Sequence, residues 1–83
     1  MPLYMDIHHI TEGVTEEAVA DAHSRDLGAQ AKYGVDYKKY WVDKNNGTIF
    51  CLVEAPNKEA AARVHQEAHG LVADEIYEVS EHA

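Results

Sequence analysis

Apolar and polar residues alternate from Leu3 to His8: Leu3, Met5 and Ile7 fall on one side, Tyr4, Asp6 and His8 on the other. A period of two is the signature of a β-strand. Gly13 breaks the pattern, and Thr15 follows as a good helix N-cap, with Glu16 and Glu17 placed to complement the helix dipole. A helix is predicted from Glu16 to about Lys32, stopped by Gly34. The aromatic and β-branched run Asp36 to Asp43 predicts a second strand. Asn45-Asn46-Gly47 is a hairpin turn signal, because Asn and Gly tolerate positive φ, and Thr48 to Glu54 forms the third strand. Asn57 caps a second helix from Lys58 to His69, closed by Gly70, and Asp74 to Ser80 supplies the fourth strand. The order β-α-β-β-α-β predicts one α+β domain over residues 1–83. It is the ferredoxin-like arrangement, a four-stranded antiparallel sheet with two helices on one face.

This topology leaves the other face of the sheet open. Yet Ile49, Phe50, Cys51, Leu52 and Val53 are apolar on both sides of one strand, a pattern normally covered on both sides. A second copy, packed sheet against sheet about a twofold axis, is the simplest cover, and the tail Glu81-His82-Ala83 is too short to serve. Chain length points the same way. A chain of 83 residues buries only about two-thirds of the surface its unfolded form exposes, so its own core is small. A single cysteine, Cys51, rules out an internal disulfide. No apolar run approaches the roughly 18 residues of a membrane span, and Asp6, His8 and His9 interrupt any signal-peptide core. A reducing cytoplasm is the expected location. The formal charge of −8 argues against nucleic acid or an anionic membrane as partner through a broad basic surface.

Six histidines in so short a chain change the picture toward metal chemistry. His65 and His69 stand four apart on one helical face, close enough to reach one cation, and imidazole suits nickel, copper, zinc and cobalt. Glu67 is at the wrong offset for the His-Glu-x-x-His hydrolase motif. The competing reading makes His69 a favourable charge at a helix C-terminus and His65 a solvated neighbour. His8 and Asp6 share one side of the first strand and are candidates for further ligands, or else a hydrogen-bonded polar pair. In the first helix, Asp26 interrupts an apolar stripe of Ala18, Val19, Ala22, Ala29 and Tyr33, with His23 three residues earlier. A carboxylate there is costly unless paired or ligating. Either His23 and Asp26 form a structural ion pair, or both belong to a polar pocket between helix and sheet. Cys51 reads as a small buried hydrophobe with no positive neighbour to activate it. Tyr40 and Trp41 put aromatics on both faces of the second strand, as core, interface or pocket wall.

Five stretches taken together resemble a known family: Met5 to His8 (MDIH), Ala22 to Leu27 (AHSRDL), Tyr40 to Asp43 (YWVD), Phe50 to Pro56 (FCLVEAP) and Val64 to Glu75 (VHQEAHGLVADE). They are similar to small bacterial ferredoxin-like proteins first catalogued as a domain of unknown function, one member of which is described as nickel-binding. The resemblance implies a homodimer, a dimeric α+β barrel that binds Ni(II), for sequestration or homeostasis without turnover. His8, His23, Asp26, His65 and His69 fall inside the family-like motifs and are the implied metal ligands; His9 and His82 fall outside them. The same donors accept other divalent transition metals, and would hold Cu(II) more tightly. The alternative is a small cofactor-independent enzyme of the dimeric barrel type, monooxygenase- or isomerase-like. In that reading Asp6, His8, His23 and Asp26 are acid–base groups in a pocket walled by Tyr40 and Trp41.

Overall fold

Two helices cross one face of a four-stranded sheet in the computed structural model, which describes all residues from Met1 to Ala83. The elements are β1 (Leu3–His9), α1 (Glu16–Ala29), a 3₁₀ turn (Gln30–Tyr33), β2 (Asp36–Asp43), β3 (Thr48–Glu54), α2 (Lys58–Ala68) and β4 (Glu75–Val79). The sheet order is β2-β3-β1-β4 with every neighbouring pair antiparallel, the expected ferredoxin-like α+β fold. No helix is long and apolar enough to cross a membrane.

Both predicted caps form. Thr15 Oγ1 accepts the Ala18 amide at 3.1 Å and Asn57 Oδ1 accepts the Ala60 amide at 2.8 Å, each satisfying a donor that the first helical turn leaves free. The first helix ends earlier than expected, at Ala29, and tightens into the 3₁₀ turn before Gly34 takes a left-handed φ of 66°. The tightening lets the Gln30 side chain accept the Tyr37 amide at 2.8 Å, which ties the turn to the start of β2. In the β2–β3 hairpin, Gly47 has φ 58° and an added Cβ would sit 2.5 Å from the Ile10 carbonyl oxygen. Glycine therefore allows the loop after β1 to close on the hairpin, where the Ile10 amide donates to the Gly47 carbonyl at 2.8 Å.

Strand β1 places Tyr4, Asp6 and His8 under the helices, and Leu3, Met5 and Ile7 on the open face. Ile49, Cys51 and Val53 of β3 join the first set, and Phe50 and Leu52 the second. Strand β2 carries a bulge at Lys38, so Tyr37 pairs with Val53 and Tyr40 with Cys51. Tyr37 and Tyr40 consequently share the helix-covered face although they stand three residues apart. Ala61 and Val64 of α2 are fully buried against Tyr4, Tyr37, Val53 and Ala55. Small side chains on this helix let it lie close to the sheet, and that closeness carries His65 into the core.

Candidate metal centre

His65 is 1% exposed and its ring is held between two carboxylates. Nδ1 donates to Asp26 Oδ1 at 2.9 Å and Nε2 donates to Asp6 Oδ2 at 2.9 Å. With both nitrogens facing acceptors, the ring is held as the imidazolium. Burial alone would push His65 down, but the bonds to Asp26 and Asp6 outweigh it and raise the pKa to about 9. Asp6 is fully buried, which by itself raises its pKa; His65, His8 and Tyr37 reverse that and hold it well below the usual carboxylate range. Two carboxylates against one imidazolium leave an excess of one negative charge in the interior. Such a surplus favours a cation.

Around this axis the other groups are ordered by contact. Tyr37 donates its hydroxyl proton to Asp6 Oδ2 at 2.7 Å, with the Ala61 carbonyl 3.2 Å away as the weaker branch. Burial, with the Asp6 charge beside it, pushes the Tyr37 hydroxyl far up, so it stays a donor. His69 closes α2 and places Nε2 3.1 Å from Asp26 Oδ1, while its Nδ1 accepts the Leu71 amide at 3.1 Å. An accepting Nδ1 assigns the proton to Nε2. Burial pulls the His69 pKa down, and the neighbouring His65 charge helps. His8 Nε2 lies 3.2 Å from Asp6 Oδ1, at ion-pair distance but without hydrogen-bond alignment. Asp6 Oδ1 is thus buried with no hydrogen bond.

A cavity of about 30 Å³ lies beside these groups, lined by His8, His23, Asp26, Cys51, His65 and His69, with Tyr40 and apolar Ile10, Val19, Ala22, Ile49 and Leu71. That volume suits a single water or one ion. All five sequence-predicted ligands, His8, His23, Asp26, His65 and His69, line it. The pairing expected between His23 and Asp26 does not form. Asp26 points across the helix pair and is taken by His65 and His69, whereas His23 packs against the Tyr40 ring at 4.8 Å between centroids. Trp41 does not line this cavity: it sits on the open face, 46% exposed, because the pleat turns it away from Tyr40. His9 pairs with Glu75 and His82 with Ser80 outside the cavity.

Sequence reasoning gave Tyr37 no role and treated Cys51 as core. Cys51 is buried, and its thiol is pushed well up by burial and by the neighbouring Asp6 charge. Its sulfur nevertheless belongs to a donor cluster with Asp6, His8 and His65, all ligand atoms within 4.8 Å of one another. A second cluster consists of Asp26, His65 and His69. Asp26 Oδ1 lies 2.9 Å from His65 Nδ1 and 3.1 Å from His69 Nε2, so one carboxylate oxygen already brings both rings together. Two imidazoles and a carboxylate suit a divalent transition metal.

The comparisons agree with the resemblance seen in the motifs. A family model described as "Nickel responsive protein SCO4226-like" matches residues 4–79. Among solved structures, the chain matches SCO4226 from Streptomyces coelicolor A3(2), a crystal structure, with a TM-score of 0.89 and 41% identity over 98% of this chain and 99% of that one. No curated protein matches. Family and fold therefore coincide over nearly the whole length, and the chain belongs to the SCO4226-like family of nickel responsive proteins.

Proposed function

We propose that this protein binds a divalent transition-metal ion, nickel foremost, in the pocket between its helices and sheet, and sequesters it without turnover. The observation that carries the reading is the cluster of Asp26, His65 and His69, a carboxylate and two imidazole rings at one end of an ion-sized cavity, whose shared ring protons are released to solvent when a cation takes their place. His8 and His23, in the same lining, extend the donor set. Membership of a family named for nickel response supports the choice of metal. A reducing cytoplasm suits a chain whose one cysteine has no disulfide partner.

Titration calorimetry with Ni(II) on tag-free protein tests the site. Wild type is expected to bind, and the His65→Ala/His69→Ala double variant to lose binding. Because His65 is buried, His69→Ala and Asp26→Asn serve as gentler variants, checked for folding by circular dichroism. Affinity unchanged in all three removes these residues from the site.

The reading includes a second copy over the open sheet face. That face presents Leu3, Met5 and Phe50 partly exposed around a buried Leu52, with Trp41 and Tyr77 half exposed, an apolar surface of the kind isologous interfaces bury. One observation favours the enzyme reading instead. The cavity adjoins an open cleft of about 370 Å³ that shares Ile10, Val19, Ala22, Ile49 and Leu71 with it, large enough for a small organic molecule.

A further inference from the structure

We propose that Asp6, His8 and Cys51 form a second donor set on the same cavity, one whose thiol gives up its proton to solvent on binding and which therefore takes, in place of nickel, a thiophilic transition-metal ion of the Zn(II) or Cu(I) kind. Strand geometry assembles it. Asp6 on β1 is directly opposite Cys51 on β3, and His8 follows two residues later on the same face. Alternation along paired strands directs all three toward the helices whatever the loops do. Their ligand atoms, with one from His65, lie within 4.8 Å of one another.

The orphaned oxygen is the independent sign. Asp6 is 0% exposed, and Tyr37 and His65 fix its orientation through Oδ2. Oδ1 is then held with no hydrogen bond, a costly state for a buried carboxylate oxygen and one that calls for a partner. His8 Nε2, 3.2 Å away, is too poorly aligned to be that partner but is well placed to be a fellow ligand. A cation between them and the Cys51 sulfur satisfies the oxygen. The His65 ring stands between the two donor sets: Nδ1 faces Asp26 and Nε2 faces Asp6. One sulfur, one nitrogen and one oxygen donor select softer d-block ions over magnesium or calcium, and three protein ligands leave a position open.

Cobalt(II) is the probe, added to reduced, tag-free protein and followed by absorption. Wild type is expected to show a thiolate-to-cobalt charge-transfer band that Zn(II) abolishes; Cys51→Ser and Cys51→Ala lose the band, and His69→Ala keeps it. Absence of the band in wild type at saturating Co(II), or its persistence without the sulfur, overturns the site. The wild-type measurement decides even if a cysteine variant fails to fold. Nickel calorimetry on the same proteins separates this proposal from the preceding one. Nickel binding lost in His69→Ala with no thiolate band leaves only the Asp26–His65–His69 site standing. A thiolate band together with nickel binding indifferent to His69→Ala leaves only this one.

Discussion

On β1, and not on the strand beside it, the two faces of the sheet reverse the usual division of labour. Strand β1 turns Tyr4, Asp6 and His8 inward under the helices, and Leu3, Met5 and Ile7 outward. In an ordinary two-layer protein the apolar set would be the covered one. A buried network of ions is weak evidence for stability, because desolvation offsets much of the attraction, so its position in a small core points to function. The outer face carries the complementary lesson. Its apolar side chains contribute little to one chain alone and become valuable only when something covers them.

The comparison is broken most severely from the inside. Asp6→Ala leaves the His65 imidazolium facing one carboxylate instead of two and the Tyr37 hydroxyl without its acceptor. A loss of about 3–5 kcal/mol is expected, measured by urea unfolding of metal-free protein. A loss below about 1 kcal/mol would mean that the inner network contributes no more than a surface pair.

Alkali tests the same network without mutation. Because His65 is raised from 6.5 to about 9 on folding, its stabilisation is complete below pH 6.5 and lost as pH rises through 9. The difference corresponds to about 3 kcal/mol. Asp6 is depressed, so its share is present above its ordinary pKa and lost in acid. The two shifts describe the same contacts and do not add. Metal-free protein is expected to melt at lower temperature at pH 10 than at pH 6.5; an equal or higher melting temperature at pH 10 contradicts the doubly paired imidazolium.

The outer face is probed by Trp41→Glu, which places a charge on the exposed apolar patch. Dimerisation is expected to weaken by about 2 kcal/mol or more, seen as a shift toward monomer in light scattering, while the fold of each chain is kept. A wild-type chain that is monomeric at every concentration removes the second copy from the picture.

Much of the fold was legible because its signals are local: Thr15 and Asn57 as caps, Gly34 and Gly70 as stops, and Asn45-Asn46-Gly47 as a turn. The site was legible in part. A carboxylate inside an apolar helical stripe had to be paired, and Asp26 is, but helical spacing pointed to His23 on its own helix. The true partners come from α2, and packing between helices is invisible to a one-dimensional period. Alternation in β1 likewise separated two faces without saying which the helices cover. Apolar content alone would have chosen the wrong one.

The bulge in β2 has a consequence for how this chain tolerates changes of length. Lys38 is the residue the pairing passes over, between Tyr37 opposite Val53 and Lys39 opposite Leu52. Deleting Lys38 would leave Tyr37 and Tyr40 on the helix side and Lys39 and Trp41 outside, at the cost of exposed ion pairs to Asp36 and Glu54. Deleting one residue between Lys39 and Asp43 instead would turn part of the strand over and bring a lysine or the tryptophan to the ion-sized cavity. The strand thus carries one dispensable position beside a stretch in which spacing is as binding as identity.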